Sequence, residues 1–412
     1  MKKISSLISI FNLLVIGLIL RLIAYYFYGD FELTNEWERI IHNKQISNIF
    51  GFFVVSSEYV AHPKLADLGE KVLPSVYMPP LYYYFIYSLT FLSLNFLTTS
   101  NLVIISQLFF SIISIFLFFR ILNEFIDKKL SLIITSIFAF FPINVLAAAK
   151  ISSVTLQIFL LLNFFFFLIQ FLKKNKISYL IIFSIFSGLS ILIRGEFILF
   201  YFITLIYFFI FFQKKFKIIL ISIFISSIIL SPYLYRNYIL FETFTLTKSF
   251  GYNLLKGNNP SFIVEGDAIF IEKKFPRSEI KIKTDNRYEI NLDNYYREKA
   301  LKYIKEDPTK YLKFYFVKIA SFLFFDINST YPNYYNFLHV LPKIILAFIS
   351  LVGAIVALRR KGFFQFLAIY YFTNIFLFSI FFILPRYSLI LLPIQLILSI
   401  ETIRLFRRKL LD

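Results

Sequence analysis

Along this chain the apolar residues gather in long unbroken runs rather than in amphipathic stripes, and such runs predict helices with lipid around them. Residues 4–28 hold a single charge, Arg21, and comparable runs recur to the C-terminus, each near the roughly 20 residues needed to cross a hydrocarbon core. Leu20-Arg21-Leu22 does not provide the small-residue site at which a signal peptide is cut, so the first run is expected to remain as an anchor.

Short basic clusters separate the runs: Lys2-Lys3, Arg120 with Lys128-Lys129, Lys173-Lys174 with Lys176, Lys214-Lys215 with Lys217, Arg359-Arg360-Lys361 and Arg407-Arg408-Lys409. Such clusters in short loops stay cytoplasmic, so an even number of crossings is expected between neighbours. The chain then turns on the outer face between residues 142 and 153, near Arg194-Gly195-Glu196 and at Leu384-Pro385-Arg386. Between Lys3 and Arg120 three runs compete for two crossings, which places 79–97, with its tyrosines, along the outer interface as a helix. The same reasoning puts 311–325, short and broken by Lys313 and Lys318, at the interface.

The expectation is an all-α polytopic membrane protein, one domain over 1–412, with about ten transmembrane helices. Both termini would be cytoplasmic and 338–409 would form the C-terminal transmembrane helices. Two segments remain for the outer face, a first loop at 29–78 and a long loop at 236–310. In the second, 295–304 has a helical apolar pattern and 261–287 is polar with strand-like patches, so this region is expected to be mixed.

Composition agrees with lipid as the solvent, since 58% of the residues are hydrophobic. A net charge of +19 would suggest nucleic acid in a soluble protein, but here the cations sit between apolar runs, and no nucleic-acid partner is expected. There is no cysteine, which excludes disulfides, thiolate catalysis and cysteine metal sites.

Charge near the membrane is costly, so each ionisable residue at an outer helix end is a functional candidate. Asp30, Glu32, Glu36 and Glu38 follow the first run, and on a helix Glu32 and Glu36 share a face. Lys150, Arg194, Glu196, Arg236 and Arg386 occupy the later outer returns. Acid from one loop thus faces base from several others. That arrangement suits an acceptor hydroxyl, deprotonated by a carboxylate, attacking an anomeric carbon whose leaving phosphate is held by Arg or Lys. His42 and His62 lack partners at metal-ligand spacing, and no metal or other cofactor is expected. Asn328-Ser329-Thr330 matches a glycosylation sequon and says nothing about activity.

Four strings in order extend the reading. They are Tyr77-Met78-Pro79-Pro80-Leu81-Tyr82-Tyr83; Arg194-Gly195-Glu196; Arg236-Asn237-Tyr238 with Gly251-Tyr252-Asn253 and Gly257-Asn258-Asn259-Pro260; and Pro385-Arg386-Tyr387 with Pro393. Together they resemble the polyprenyl-phosphate-sugar-dependent membrane glycosyltransferases of the GT-C class, the group of the protein O-mannosyltransferases and the aminoarabinose transferase. The resemblance implies a first-loop carboxylate, Glu36 or Asp30, as base or acceptor-orienting group. It implies lipid-phosphate contacts from Arg194, Arg236, Arg386, Tyr82, Tyr83 and Tyr387, and an acceptor-covering loop with Asn253, Asn258 and Asn259. Where the family often has a second acid before Thr-Leu this chain has Val154 before Thr155-Leu156, which speaks against a bridging divalent metal.

The function expected is therefore an inverting, metal-independent sugar transfer from a polyprenyl-phosphate carrier to an envelope acceptor, on the outer face of a bacterial inner membrane. The partners expected are the lipid-linked sugar, the acceptor and membrane lipid. No Gly-rich phosphate loop for a nucleotide sugar is present. A polysaccharide polymerase or ligase is the nearer alternative. A transporter is the more distant one, since charges gather at one face and no half-to-half repeat is seen.

Overall fold

The computed structural model describes residues 2–33, 74–94, 98–212, 215–276, 279–329 and 337–411, and among these the regular elements are all α-helices. Nine come first: α1 Lys2–Tyr28, α2 Pro80–Thr90, α3 Thr99–Leu122, α4 Lys128–Phe140, α5 Pro142–Ala148, α6 Ser153–Lys174, α7 Ile177–Ile193, α8 Phe197–Phe211 and α9 Lys215–Phe241. A more polar stretch follows, with α10 Phe250–Gly257, α11 Ala268–Lys274, α12 Tyr288–Glu306 and α13 Pro308–Leu323. The chain closes with α14 Phe337–Leu358, α15 Phe363–Phe378, α16 Pro385–Leu389 and α17 Leu392–Leu411.

Local chemistry fixes several of these ends. Thr98 accepts from the Asn101 N–H to open α3, and Asp127 accepts from the Lys129 and Leu130 N–H groups to open α4. Asn175, left-handed at φ 51°, closes α6 by donating its N–H to the Phe171 carbonyl. Pro142 ends α4 because it has no N–H to continue the ladder, and α5 leaves at 58°.

The chain is an integral membrane protein. Among the described residues five helices are long and apolar enough to cross a bilayer, or six if the bent pair α4 with α5 is one span. By that measure the expected ten is not reached, because α7, α8 and α15 have only 17, 15 and 16 residues. α6 is the central helix, with 83% of its apolar window inside the protein, whereas α9 has only 22% and faces outward.

The strand-like reading of 261–287 is corrected: among the described residues the segment forms turns and the helix α11. Asp267 accepts from the Phe270 N–H there, a local cap that a lone strand without a partner cannot match. The expected interfacial stretch at 79–97 contains α2, an 11-residue helix packed on α3 and α7, too short to span.

Two ends of the bundle differ in character. At one, Lys173 meets Glu124 at 2.8 Å, Arg404 donates to the Phe125 carbonyl at 2.8 Å, and Arg360 and Arg404 close on the buried Glu401 at 2.8 and 2.6 Å. Lys173 and Arg360, each from one of the basic clusters of the sequence, lie at this end. At the other end sit Asp30, Lys150 and Arg194, beneath the polar helices α10 to α13.

Candidate active site

The turn between α7 and α8 forms one wall of a cleft of about 330 Å³. Arg194 and Glu196 supply its charge, and Ile198, Leu199, Phe378 and Phe382 supply an apolar wall. Thr247, Ser249 and Asn253 from the start of the polar stretch rim it, with Tyr387 from α16. The Arg194 guanidinium lies 5.7 Å from the Tyr387 ring centroid and its nearest carboxylate contact, Glu196, is long at 3.9 Å. Its Nε is buried and has no hydrogen-bond partner among the described residues. A cationic donor left open beside an apolar wall suits an amphipathic anion, with the phosphate at the guanidinium and the hydrocarbon along the phenylalanines.

Two further cations border the same region. Lys256, on α10, places its ammonium 4.4 Å from the Phe382 ring centroid. Burial, and after it the neighbouring Arg386, pushes this ammonium below its ordinary range. Arg386 itself is exposed and lies 5.8 Å from the Tyr387 ring centroid.

Asp30 forms a separate corner just past the end of α1. One carboxylate oxygen accepts from the Lys150 ammonium at 2.8 Å and the other from the Ile151 N–H at 2.9 Å, while the Asp30 N–H donates to the Ala149 carbonyl at 3.2 Å. The pair is partly open to solvent, with the Asp30 side chain 26% exposed. A buried cluster joins this corner to the cleft wall: Ala148 and Ile151 pack with Tyr82, Tyr83 and with Ile193, the neighbour of Arg194. Glu36, the other candidate acid, lies outside the described residues.

Several residues read from sequence as ligand contacts make contacts within the fold. Arg236 is buried, donates to the Ser75 carbonyl at 2.8 Å and to Asn237 Oδ1 at 2.6 Å, and does not line the cleft. Tyr82 is buried and donates to Gln107 Oε1 at 2.8 Å; Tyr83 is buried in the same cluster. Of the three asparagines, Asn253 lines the cleft, whereas Asn258 and Asn259 tie their own turn. Asn258 donates to the Leu254 and Ile380 carbonyls, and Asn259 to those of Lys256 and Ile263.

Sequence reasoning passed over Lys318 on α13. It is fully buried, and its ammonium donates to the Gly257 carbonyl at 3.0 Å, Asn258 Oδ1 at 3.1 Å and the Ile380 carbonyl at 3.2 Å. It thereby pins α10 to the segment that carries Phe381 and Phe382. The signal was present, since Lys318 interrupts an apolar stretch.

Over residues 78–235 the chain matches the model of the family described as dolichyl-phosphate-mannose-protein mannosyltransferase. The archaeal oligosaccharyltransferase AglB from Archaeoglobus fulgidus, solved with an inhibitory peptide and a dolichol-phosphate, is similar in fold. Its TM-score is 0.52 at 17% identity, over 99% of this chain and 51% of that one. The Archaeoglobus fulgidus oligosaccharyltransferase tethered to an acceptor peptide with the NVT sequon gives 0.53 at 16% identity, over 97% of this chain and 50% of that one. The chain thus spans about half the length of these solved structures. No match was found among curated proteins.

Proposed function

We propose that the protein transfers a sugar from a polyprenyl-phosphate carrier to an acceptor hydroxyl. The observation that carries this reading is the open Arg194 Nε in a cleft with one cationic side and one apolar side. A first-loop carboxylate, Asp30 or Glu36, takes the acceptor proton. The acceptor oxygen bonds to the anomeric carbon from the face opposite the phosphate, the bond from that carbon to the phosphate oxygen breaks, and configuration inverts. Arg194 and Tyr387, with Lys256 and Arg386 nearby, hold the phosphate as its charge grows.

The active face is the periplasmic face of a bacterial inner membrane and both termini are cytoplasmic, an orientation supported by the short basic clusters between the apolar runs of the sequence. The acceptor is an envelope component, a polar molecule reaching the cleft under α10 to α13. The Asp30 carboxylate engages the Lys150 ammonium at 2.8 Å, and the proposed transfer is written without a metal step.

The test is transfer of radiolabelled sugar from a panel of short-chain polyprenyl-phosphate sugars by purified protein in detergent, with membrane extract as acceptor. Label should move into the extract and be lost in Arg194→Ala. Folded protein that transfers from no donor in the panel would overturn the reading.

A further inference from the structure

Arg21 lies inside the first membrane-spanning helix, fully buried, with no carboxylate among its hydrogen-bond partners. Its Nε donates to Ser111 Oγ on α3 at 2.7 Å, and its Nη1 donates to the Gly17 carbonyl and to the Ala139 carbonyl, each at 3.0 Å. The last of these explains why a charge is kept there. α4 breaks at Phe141, whose backbone is extended, and carbonyls of its last turn, among them those of Phe138 and Ala139, lose their helical donors. The Phe138 carbonyl faces Pro142, which has no N–H, and the 58° turn carries the Ile143 N–H away from the Ala139 carbonyl. In hydrocarbon an unmet carbonyl is costly, so such a break persists only where side chains replace the lost donors. Asn144 Nδ2 serves Phe138 at 2.9 Å, and Arg21 serves Ala139.

The far end of α5 is held as firmly. Its closing carbonyls go to Thr155 Oγ1, which donates to Ala147 at 3.1 Å, and to the Asp30 N–H, which donates to Ala149. Gln107 Nε2 donates to the Lys150 carbonyl at 2.8 Å. α1 therefore grips α5 at both ends, through Arg21 at the break and through Asp30 at the exit. The seven helical steps from Arg21 to the end of α1 at Tyr28 cover about 10 Å, close to the length of the seven-residue α5.

We infer that Arg21 is a positioning residue for the Asp30 corner, setting the direction of α5 and so the placement of the Ala149 to Ile151 backbone and of Lys150 around the Asp30 carboxylate. This rests on the reading of Asp30 as a working acid. Without the guanidinium the Ala139 carbonyl is unmet, α5 swings to find a donor, and the carboxylate loses its seat while Arg194, on a different turn, stays in place.

The experiment compares Arg21→Met and Arg21→Lys with wild type in detergent, by hydrogen exchange of residues 142–152 against α6 as internal reference, and by transfer kinetics. Met should speed exchange in 142–152 while α6 stays protected, and should lower kcat on the order of a hundredfold with KM for the donor unchanged. Lys, which can still donate to Ala139, should restore part of both. Wild-type exchange in Arg21→Met, acceleration spread equally through α6, or faster local exchange with unchanged kcat would each overturn the inference. If wild type transfers no sugar, the proposed activity fails, and the exchange comparison still decides whether Arg21 holds the break.

Discussion

Arg194 and Tyr387 meet across the cleft, the guanidinium carbon 5.7 Å from the ring centroid, so that the α7–α8 turn and α16 act on one ligand position. The ring holds the guanidinium plane by its face and leaves the N–H edge for an anion. Arg194→Ala should therefore cost roughly 10²–10³-fold in kcat, in the range of losing one oxyanion donor. Lys cannot present the same planar fork, so Arg194→Lys should recover little. Steady-state kinetics with a short-chain donor check both, and a Lys variant at wild-type rate would show that only charge matters there.

The acid is assigned by separate neutral variants. If Asp30 is the base, Asp30→Asn should lower kcat roughly 10²–10⁴-fold. Lys150→Met should then lower it as well, because the ammonium that touches Asp30 is gone. If the base is Glu36, the large loss should appear in Glu36→Gln and Asp30→Asn should show only a positional effect. Full activity in both acid variants would remove the first loop from the proton transfer.

The helical class, the lipid-covered runs and the main turns were legible because each depends on neighbours in sequence. Arg194 and Asp30 were legible for the same reason, each standing beside the end of an apolar run. Arg236 gave the same signal, but its hydrogen bond to Ser75 was not legible, because Ser75 is reached only through the tertiary fold. Asn258 and Asn259 showed turn chemistry but not the helix that packs on the turn. Ser261 to Arg287 alternated like strands, and a single cap at Asp267 decided for helix. Arg21 was visible as the one charge in its run, yet its purpose depends on a proline more than a hundred residues away.

Lys318 makes stability depend on pH. Burial pushes its ammonium down from 10.5 to about 7, so between these values the unfolded chain binds more protons than the folded one. Its contribution to stability is therefore complete above the ordinary value and is lost as pH falls toward about 7. Lys318→Met, with no proton to bind, should lack this dependence. Thermal unfolding in detergent at several pH values should show the wild-type melting temperature gaining on that of the variant from neutral pH upward, and parallel curves would contradict the burial argument.

Arg236 and Glu289 hold one short strap of chain ahead of α2. The arginine donates to the Ser75 carbonyl at 2.8 Å, while Glu289 accepts from Ser75 Oγ at 2.8 and 2.9 Å and from the Val76 N–H at 2.8 Å. Removing either partner leaves buried polar groups unmet, at a cost of about 3 kcal/mol. Arg236→Met and Glu289→Gln should each lower the melting temperature and loosen exchange around Val76. Donor KM should stay near wild type in Arg236→Met. A large KM rise with unchanged stability would instead return Arg236 to the lipid phosphate.

Gly251 marks where α10 crosses α12. A Cβ there would stand 1.9 Å from the Asp293 carbonyl oxygen and 2.8 Å from the Arg297 nitrogen, both backbone atoms that cannot rotate away. The Asp293 carboxylate also accepts from the Tyr252 N–H at 3.0 Å, and burial raises its pKa above the ordinary range. Gly251→Ala must therefore push the two helices apart and stretch that bond, costing about 1–3 kcal/mol as other overpacked crossings do. Because Asn253, two residues on, lines the cleft, the same shift should raise donor KM. Gly195→Ala is the control, since its Cβ would meet nothing nearer than Thr247 Oγ1 at 3.4 Å. Equal stability and equal KM for the two variants would mean that α10 floats on α12 rather than fixing the cleft roof.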